Sequence, residues 1–193
     1  MILDETYWTR RYETYDTPWQ LSNISGPLKY IIDNLKDKKT KILIPGAGNS
    51  KEALYLLKNG FSNIHVLDIS SAPLQSLSHT IGHSDKIRMI HDDFFEHSGK
   101  YDLILEQTFL CALESRFRES YPKKCHELLN ENGRVQGVLF YFSHSREEPP
   151  YSGTRKEYLE LFTPHFHINR LEPCLYSEPN RSGKELICNF IKK

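Results

Sequence analysis

Apolar residues along the chain recur with two different periods, and the two alternate in sequence. Leu28, Ile31, Ile32 and Leu35, opened by Gly26-Pro27, repeat at the spacing of one helix face and predict a helix over 26–36. Lys41-Ile42-Leu43-Ile44 reads as a short buried strand ending at Pro45-Gly46-Ala47-Gly48. Ala53, Leu54, Leu56 and Leu57 return to the helical period, and Asn59-Gly60 marks the end of that helix. Ile64-His65-Val66-Leu67-Asp68 predicts a second strand, followed by a helix near 72–80 with Ser70 or Ser71 as its cap. Third and fourth strands are expected at Ile87-Arg88-Met89-Ile90 and Tyr101-Asp102-Leu103-Ile104-Leu105. A helix over 115–130, closed by Asn132-Gly133, leads to a fifth strand from Val135 to Phe142, and another helix falls at 154–162.

Strands alternating with helices over about 100 residues predict an α/β, doubly wound, mostly parallel sheet with helices on both faces. The pattern then changes. His165 to Leu171 and Lys184 to Ile191 both alternate in character, with only the turn-rich segment Glu178-Pro179-Asn180-Arg181-Ser182-Gly183 between them. Two late strands without an intervening helix predict an antiparallel C-terminal hairpin at the sheet edge. No repeat, low-complexity tract or long linker interrupts the chain, so residues 1–193 are expected to form a single domain.

Charge narrows the function classes. Lys and Arg number 25 and Asp and Glu also 25, so the net charge is +0, whereas polynucleotide binding through phosphates favours a basic excess. The longest clean apolar run, Val138 to Phe142, is far short of a membrane span. Cys111, Cys125, Cys174 and Cys188 lie far apart without a Cys-x-x-Cys, and Met1-Ile2-Leu3-Asp4-Glu5 lacks the basic start of a secretion signal. A reduced, cytoplasmic protein without nucleic-acid or membrane partners is the expectation. Metal is not expected either. His79 and His83 are helix-spaced but straddle a helix end at Gly82, and His165 and His167 have no evident third ligand. Aromatic residues are plentiful, with 11 Tyr, 10 Phe and 2 Trp.

The first chemical signal is Gly46-Ala47-Gly48, placed between a strand and a helix. Glycines there let backbone approach a ligand, and a helix N-terminus presents unpaired N–H groups. A tight strand-to-helix turn alone would also account for them. Asp68 ends the next strand about 20 residues on, where an acid accepts hydrogen bonds from ribose hydroxyls, although a helix cap is its plainer role. A dinucleotide fingerprint needs a third glycine, and Lys51 occupies that position. A nucleoside ligand without pyrophosphate fits better, and S-adenosylmethionine is the leading candidate. Asp92-Asp93-Phe94-Phe95 after the third strand suits adenine, with a carboxylate for its amino group and a ring against the purine; a capped turn with two core phenylalanines explains it as well.

Eight segments occur in the order found in the thiopurine S-methyltransferase family, which the chain resembles from about residue 8 onward. They are Trp8-Thr9-Arg10-Arg11-Tyr12, Thr17-Pro18-Trp19, Ile44-Pro45-Gly46-Ala47-Gly48, Leu67-Asp68-Ile69-Ser70, Asp93-Phe94-Phe95, Tyr101-Asp102-Leu103-Ile104, Phe109-Leu110-Cys111-Ala112-Leu113 and Pro149-Pro150-Tyr151. The family includes plant halide and thiol methyltransferases, and the chain looks somewhat closer to that branch. The resemblance implies a class I methyltransferase (Rossmann-like) fold whose last strand is antiparallel. It also implies cofactor contacts at Trp8, Tyr12 and Trp19 on an N-terminal arm or lid (1–24), at Gly46 and Gly48, at Asp68 on the ribose, and at Asp93 and Phe94 on the adenine. Glu106 matches a carboxylate near the cofactor's amino-acid part, and Tyr151 a tyrosine at the substrate end, the one catalytic assignment.

Four positions depart from the family pattern. Ala47 stands where Cys is common, Tyr12 replaces a frequent Trp, and Gln20 follows Trp19 where the plant branch has an acid. Gln107 takes the place of an Arg found in bacterial thiopurine enzymes, which removes a fixed positive charge and points away from thiopurines. The implied reaction is methyl transfer to a small soft acceptor of thiol, sulfide or halide type, which needs alignment and dryness more than a base. Two other readings stand beside it: an NAD-linked oxidoreductase, and a cofactor-binding protein of the same fold without turnover.

Overall fold

Seven strands form one mixed sheet in the order β3-β2-β1-β4-β5-β7-β6. The computed structural model describes residues 2–142 and 148–193. The strands are β1 (Ile42–Pro45), β2 (Ile64–Asp68), β3 (Ile87–His91), β4 (Tyr101–Gln107), β5 (Leu129–Phe140), β6 (Phe166–Pro173) and β7 (Glu185–Lys192). Pairs among β1 to β5 are parallel, whereas β5–β7 and β6–β7 are antiparallel. This is the expected class I arrangement, with one refinement: β7 inserts between β5 and β6, so β6 forms the edge.

Strand alternation divides the core between the two faces of the sheet. Ile42, Ile44, Ile64, Val66, Leu103 and Leu105 pack with helices α2 (Gly26–Asp33), α3 (Lys51–Lys58) and α4 (Ser71–Ile81). Leu43, Leu67, Ile104, Val135 and Leu139 face α5 (Ser120–Leu128) and α6 (Arg155–Phe162). Caps set the helix starts. Ser25 accepts from Leu28 N, Ser70 from Ala72 N, and Thr154 with Glu157 forms a capping box.

Two expectations need correction. The helix predicted over 115–130 starts only at Ser120, after 3₁₀ turns at Leu110–Ala112 and Ser115–Phe117. Pro122 would drive its ring against the carbonyl four residues earlier, which excludes helix through Arg118. Asn132-Gly133 does not close that helix either. The two residues lie inside β5, where Asn132 takes a φ of 61° at an irregularity in the pairing with β4. The N-terminal arm also contains a helix, α1 (Glu5–Glu13), capped by Asp4. It buries no residue, so it carries no core-facing stripe for a periodicity argument to detect.

Candidate functional site

The strand order reverses between β1 and β4, and the carboxyl ends of the strands there open a crevice, the usual ligand site of a doubly wound sheet. A cavity of about 430 Å³ occupies it. Gly46 and Gly48 form its floor, with φ of 70° and 50°, a left-handed conformation that disfavours any side chain. A Cβ on Gly46 would lie 2.8 Å from the Phe109 ring, which also lines the cavity. Gly46→Ala is therefore expected to cost about 1–3 kcal/mol of stability through backbone strain and to narrow the floor. Thermal melting with and without nucleoside ligand checks both effects; unchanged melting and binding would refute the close fit.

Asp68 ends β2 at the cavity wall, 6% exposed. Its Oδ1 accepts from Ser70 N at 2.8 Å, and the N–H groups of Ala47 and Gly48 also reach the carboxylate. Burial raises its pKa to about 6 despite these donors. Glu52, in the first turn of α3, also lines the cavity, and burial raises its pKa to about 7. Asp93 and Phe94 follow β3 at the far wall; Asp93 accepts from Phe95 N at 2.8 Å, and Phe94 stacks edge-on with Phe109 at 5.0 Å.

The N-terminal segment contributes part of the cavity wall. Trp8, Tyr12 and Trp19 line the cavity and meet edge to face, at 5.6 Å for Trp8–Trp19 and 6.0 Å for Tyr12–Trp19. The Tyr12 hydroxyl lies within hydrogen-bonding reach of the Trp19 indole and Gly48 N–H, and burial pushes its pKa upward. Polar contacts tie this segment down: Thr9 Oγ1 lies 2.8 Å from Ser70 Oγ, and Arg181 Nη2 donates to Trp19 O at 2.9 Å.

Eight of the ten sequence-derived residues thus converge on one cavity: Trp8, Tyr12, Trp19, Gly46, Gly48, Asp68, Asp93 and Phe94. Two, Glu106 and Tyr151, are not among its lining residues. Glu106 is 1% exposed; its Oε1 accepts from Phe109 N at 2.9 Å and Leu110 N at 3.2 Å, and its Oε2 from the Tyr121 hydroxyl. Burial raises its pKa while these three donors oppose the rise, so the carboxylate serves to hold the loop after β4. Tyr151 adjoins the cavity-lining Pro150, and its N–H donates to Cys111 O at 2.7 Å. Burial, with the nearby Glu114 carboxylate, raises its phenol pKa above the ordinary tyrosine value.

Sequence reasoning did not select Arg181. It sits in the β6–β7 connection, 7% exposed, yet lines the cavity. Its Nη1 lies 3.6 Å from Glu185 Oε1 and makes no hydrogen bond. Gln107, at the place of the Arg found in bacterial thiopurine enzymes, accepts from Ser25 Oγ, and the described cationic residues that line the cavity are Arg11, Lys51 and Arg181. Only its place in a turn-rich segment set Arg181 apart in the sequence.

Among the described residues no histidine lines the cavity, and no group of three or more His, Cys, Asp or Glu could hold a metal. Cys111 lines it, but burial pushes the thiol upward, away from a nucleophilic thiolate. The cavity can therefore bind and align reactants, and it presents no assembled nucleophile–base pair.

Comparison with known proteins agrees with this geometry. Residues 3–189 match the family model for thiopurine S-methyltransferase. Thiocyanate methyltransferase 1 of Brassica oleracea is 25% identical over 196 residues, covering 98% of this chain and 86% of that protein. Thiopurine S-methyltransferase of Vibrio campbellii is 24% identical over 178 residues, covering 82% of each. Among solved structures, the Burkholderia thailandensis 1,6-didemethyltoxoflavin-N1-methyltransferase with bound S-adenosylhomocysteine superposes with a TM-score of 0.80 at 19% identity, covering 98% of this chain and 87% of that one.

Proposed function

The chain belongs to the thiopurine S-methyltransferase family, and from that premise we propose that it methylates a small thiol or sulfide with S-adenosylmethionine as donor. The observation that carries this is one cavity that joins Gly46, Gly48 and Asp68 to the rings of Trp8, Tyr12 and Trp19, with no histidine among its described lining residues. When bound, S-adenosylmethionine supplies an electrophilic methyl group on a sulfonium. The residues then have to fix and dry the reactants. Asp68 would hold ribose hydroxyls, Asp93 and Phe94 the adenine, and Gly46 and Gly48 would admit the ligand close to backbone. Trp8, Tyr12 and Trp19 would exclude water, so that residues 1–24 act as a lid, and their π faces favour a nearby cation by about 0.5–2 kcal/mol.

With no histidine among the described lining residues, the cavity suits an acceptor that ionises by itself near neutral pH, such as an acidic thiol or hydrosulfide. Arg11, Lys51 and Arg181 bring cationic side chains to the same cavity, Arg181 with Glu185 as its ion-pair partner, which suits an anionic acceptor. Tyr151 remains the candidate at the substrate end, as a protonated hydroxyl able to donate a hydrogen bond. Four free, buried cysteines suit a reducing, cytoplasmic setting, and among the described residues no helix is long and apolar enough to cross a membrane.

Labelled methyl transfer tests the reading directly. With thiophenol, hydrosulfide, iodide and 6-mercaptopurine as acceptors, label is expected on the first two ahead of the purine; no label on any acceptor favours a cofactor-binding protein without turnover. Calorimetry in which NADH bound and S-adenosylmethionine did not would instead favour the oxidoreductase. Asp68→Ala is expected to weaken S-adenosylhomocysteine binding by about 1–3 kcal/mol through lost ribose hydrogen bonds. An unaltered Kd in the folded variant would remove Asp68 from the site.

A further inference from the structure

The order of elements gives the cavity a direction. Asp93 follows β3, Asp68 ends β2, and the Gly46–Gly48 loop ends β1, and these three strands are neighbours in the sheet. A nucleoside with its base at Asp93 and its ribose at Asp68 must send its tail onward across the glycine loop. Beyond that loop lie the end of β4, with Gln107, Thr108 and Phe109, and the first turn of α3, and of these lining residues only Glu52 carries a negative charge. Glu52 lies in that turn. Its carboxylate has no cationic partner among the described residues; the only donor reaching it is its own backbone N–H. It acts on the Tyr12 phenol together with Asp68, so both acids bear on one ring of the N-terminal segment. A carboxylate held in a cleft without a counter-charge is costly unless a ligand supplies one.

We propose that Glu52 is the partner of the cofactor's α-ammonium group, and so selects ligands that carry an amino-acid tail. This rests on the methyltransferase reading. The ammonium is a better partner than the sulfonium, because its charge survives methyl transfer. A counter-ion to the sulfonium would stabilise the donor more than the transition state, in which that charge is being lost.

Calorimetry on the wild type and on Glu52→Gln, which keeps the side chain's shape, decides the matter. The expected result is a 10- to 100-fold loss of affinity for both S-adenosylmethionine and S-adenosylhomocysteine, with 5′-methylthioadenosine, which lacks the tail, within about twofold of wild type. In the wild type alone, deaminated S-adenosylhomocysteine should bind at least about tenfold more weakly than the parent, which keeps the proposal testable if the variant does not fold. Equal losses for 5′-methylthioadenosine, a loss confined to S-adenosylmethionine, or full retention of S-adenosylhomocysteine binding would each overturn the assignment. A wild-type protein that binds neither sulfonium nor thioether ligand overturns the methyltransferase reading itself, a separate outcome.

Discussion

Gly137→Ala is expected to destabilise the protein by at least about 3 kcal/mol. Gly137 lies in β5 opposite Glu106 of β4 and Cys188 of β7. A Cβ there would stand 1.8 Å from Glu106 O, 2.6 Å from its carbonyl carbon and 2.8 Å from its Cα. All three atoms belong to the backbone of a central strand, so no side-chain rotation relieves the overlap. The strands must separate, with loss of ladder hydrogen bonds at the point where the sheet changes from parallel to antiparallel pairing. Denaturant unfolding measures the loss; a shift below about 1 kcal/mol would mean that β4 and β5 yield at little cost.

Glu106→Ala should be nearly as damaging, at about 2–4 kcal/mol, and should also impair ligand binding. The substitution removes the acceptor of the Phe109 and Leu110 N–H groups and of the Tyr121 hydroxyl. The phenol is buried, so its orphaned proton carries a full desolvation penalty. The two N–H groups belong to the loop that sets the Phe109 ring against Gly46 and edge-on to Phe94. Loosening that loop moves two walls of the cavity at once. Glu106→Gln is the control: it retains a carbonyl oxygen for the loop and avoids burying a charge, so it should keep most of the stability. Unfolding curves and S-adenosylhomocysteine titrations of both variants check this. Equal losses from Gln and Ala would mean that the negative charge, rather than the hydrogen bonds, matters at Glu106.

Much of this was legible in the sequence because it is local. Ile42 to Ile44 and Ile64 to Asp68 are short buried strands bounded by turn residues, and Ser25, Ser70 and Thr154 cap helices through contacts two or three residues away. The site residues carried by β1 and β2 were equally accessible, since strand ends in a doubly wound sheet converge by topology. The helix predicted over 115–130 shows the limit: its apolar spacing continued past Pro122 to Leu129, and the pairing of Leu129 with Tyr101 turned the last part into strand. Such pairing depends on a partner far away in sequence, which periodicity within a window cannot register.

By itself, the sequence determined the parallel α/β architecture, the antiparallel end, the glycine floor and the acid at Asp68, all set by neighbouring residues and strand order. Only the tertiary structure decided that Glu106 props a loop instead of lining the cavity, and that Arg181 reaches the cavity with Glu185 as its ion-pair partner. It also brought Glu52 to the cavity wall without a protein counter-charge among the described residues. The physical reason is common to all three. A charged side chain's role depends on which partners share its burial, and those partners come from segments distant along the chain.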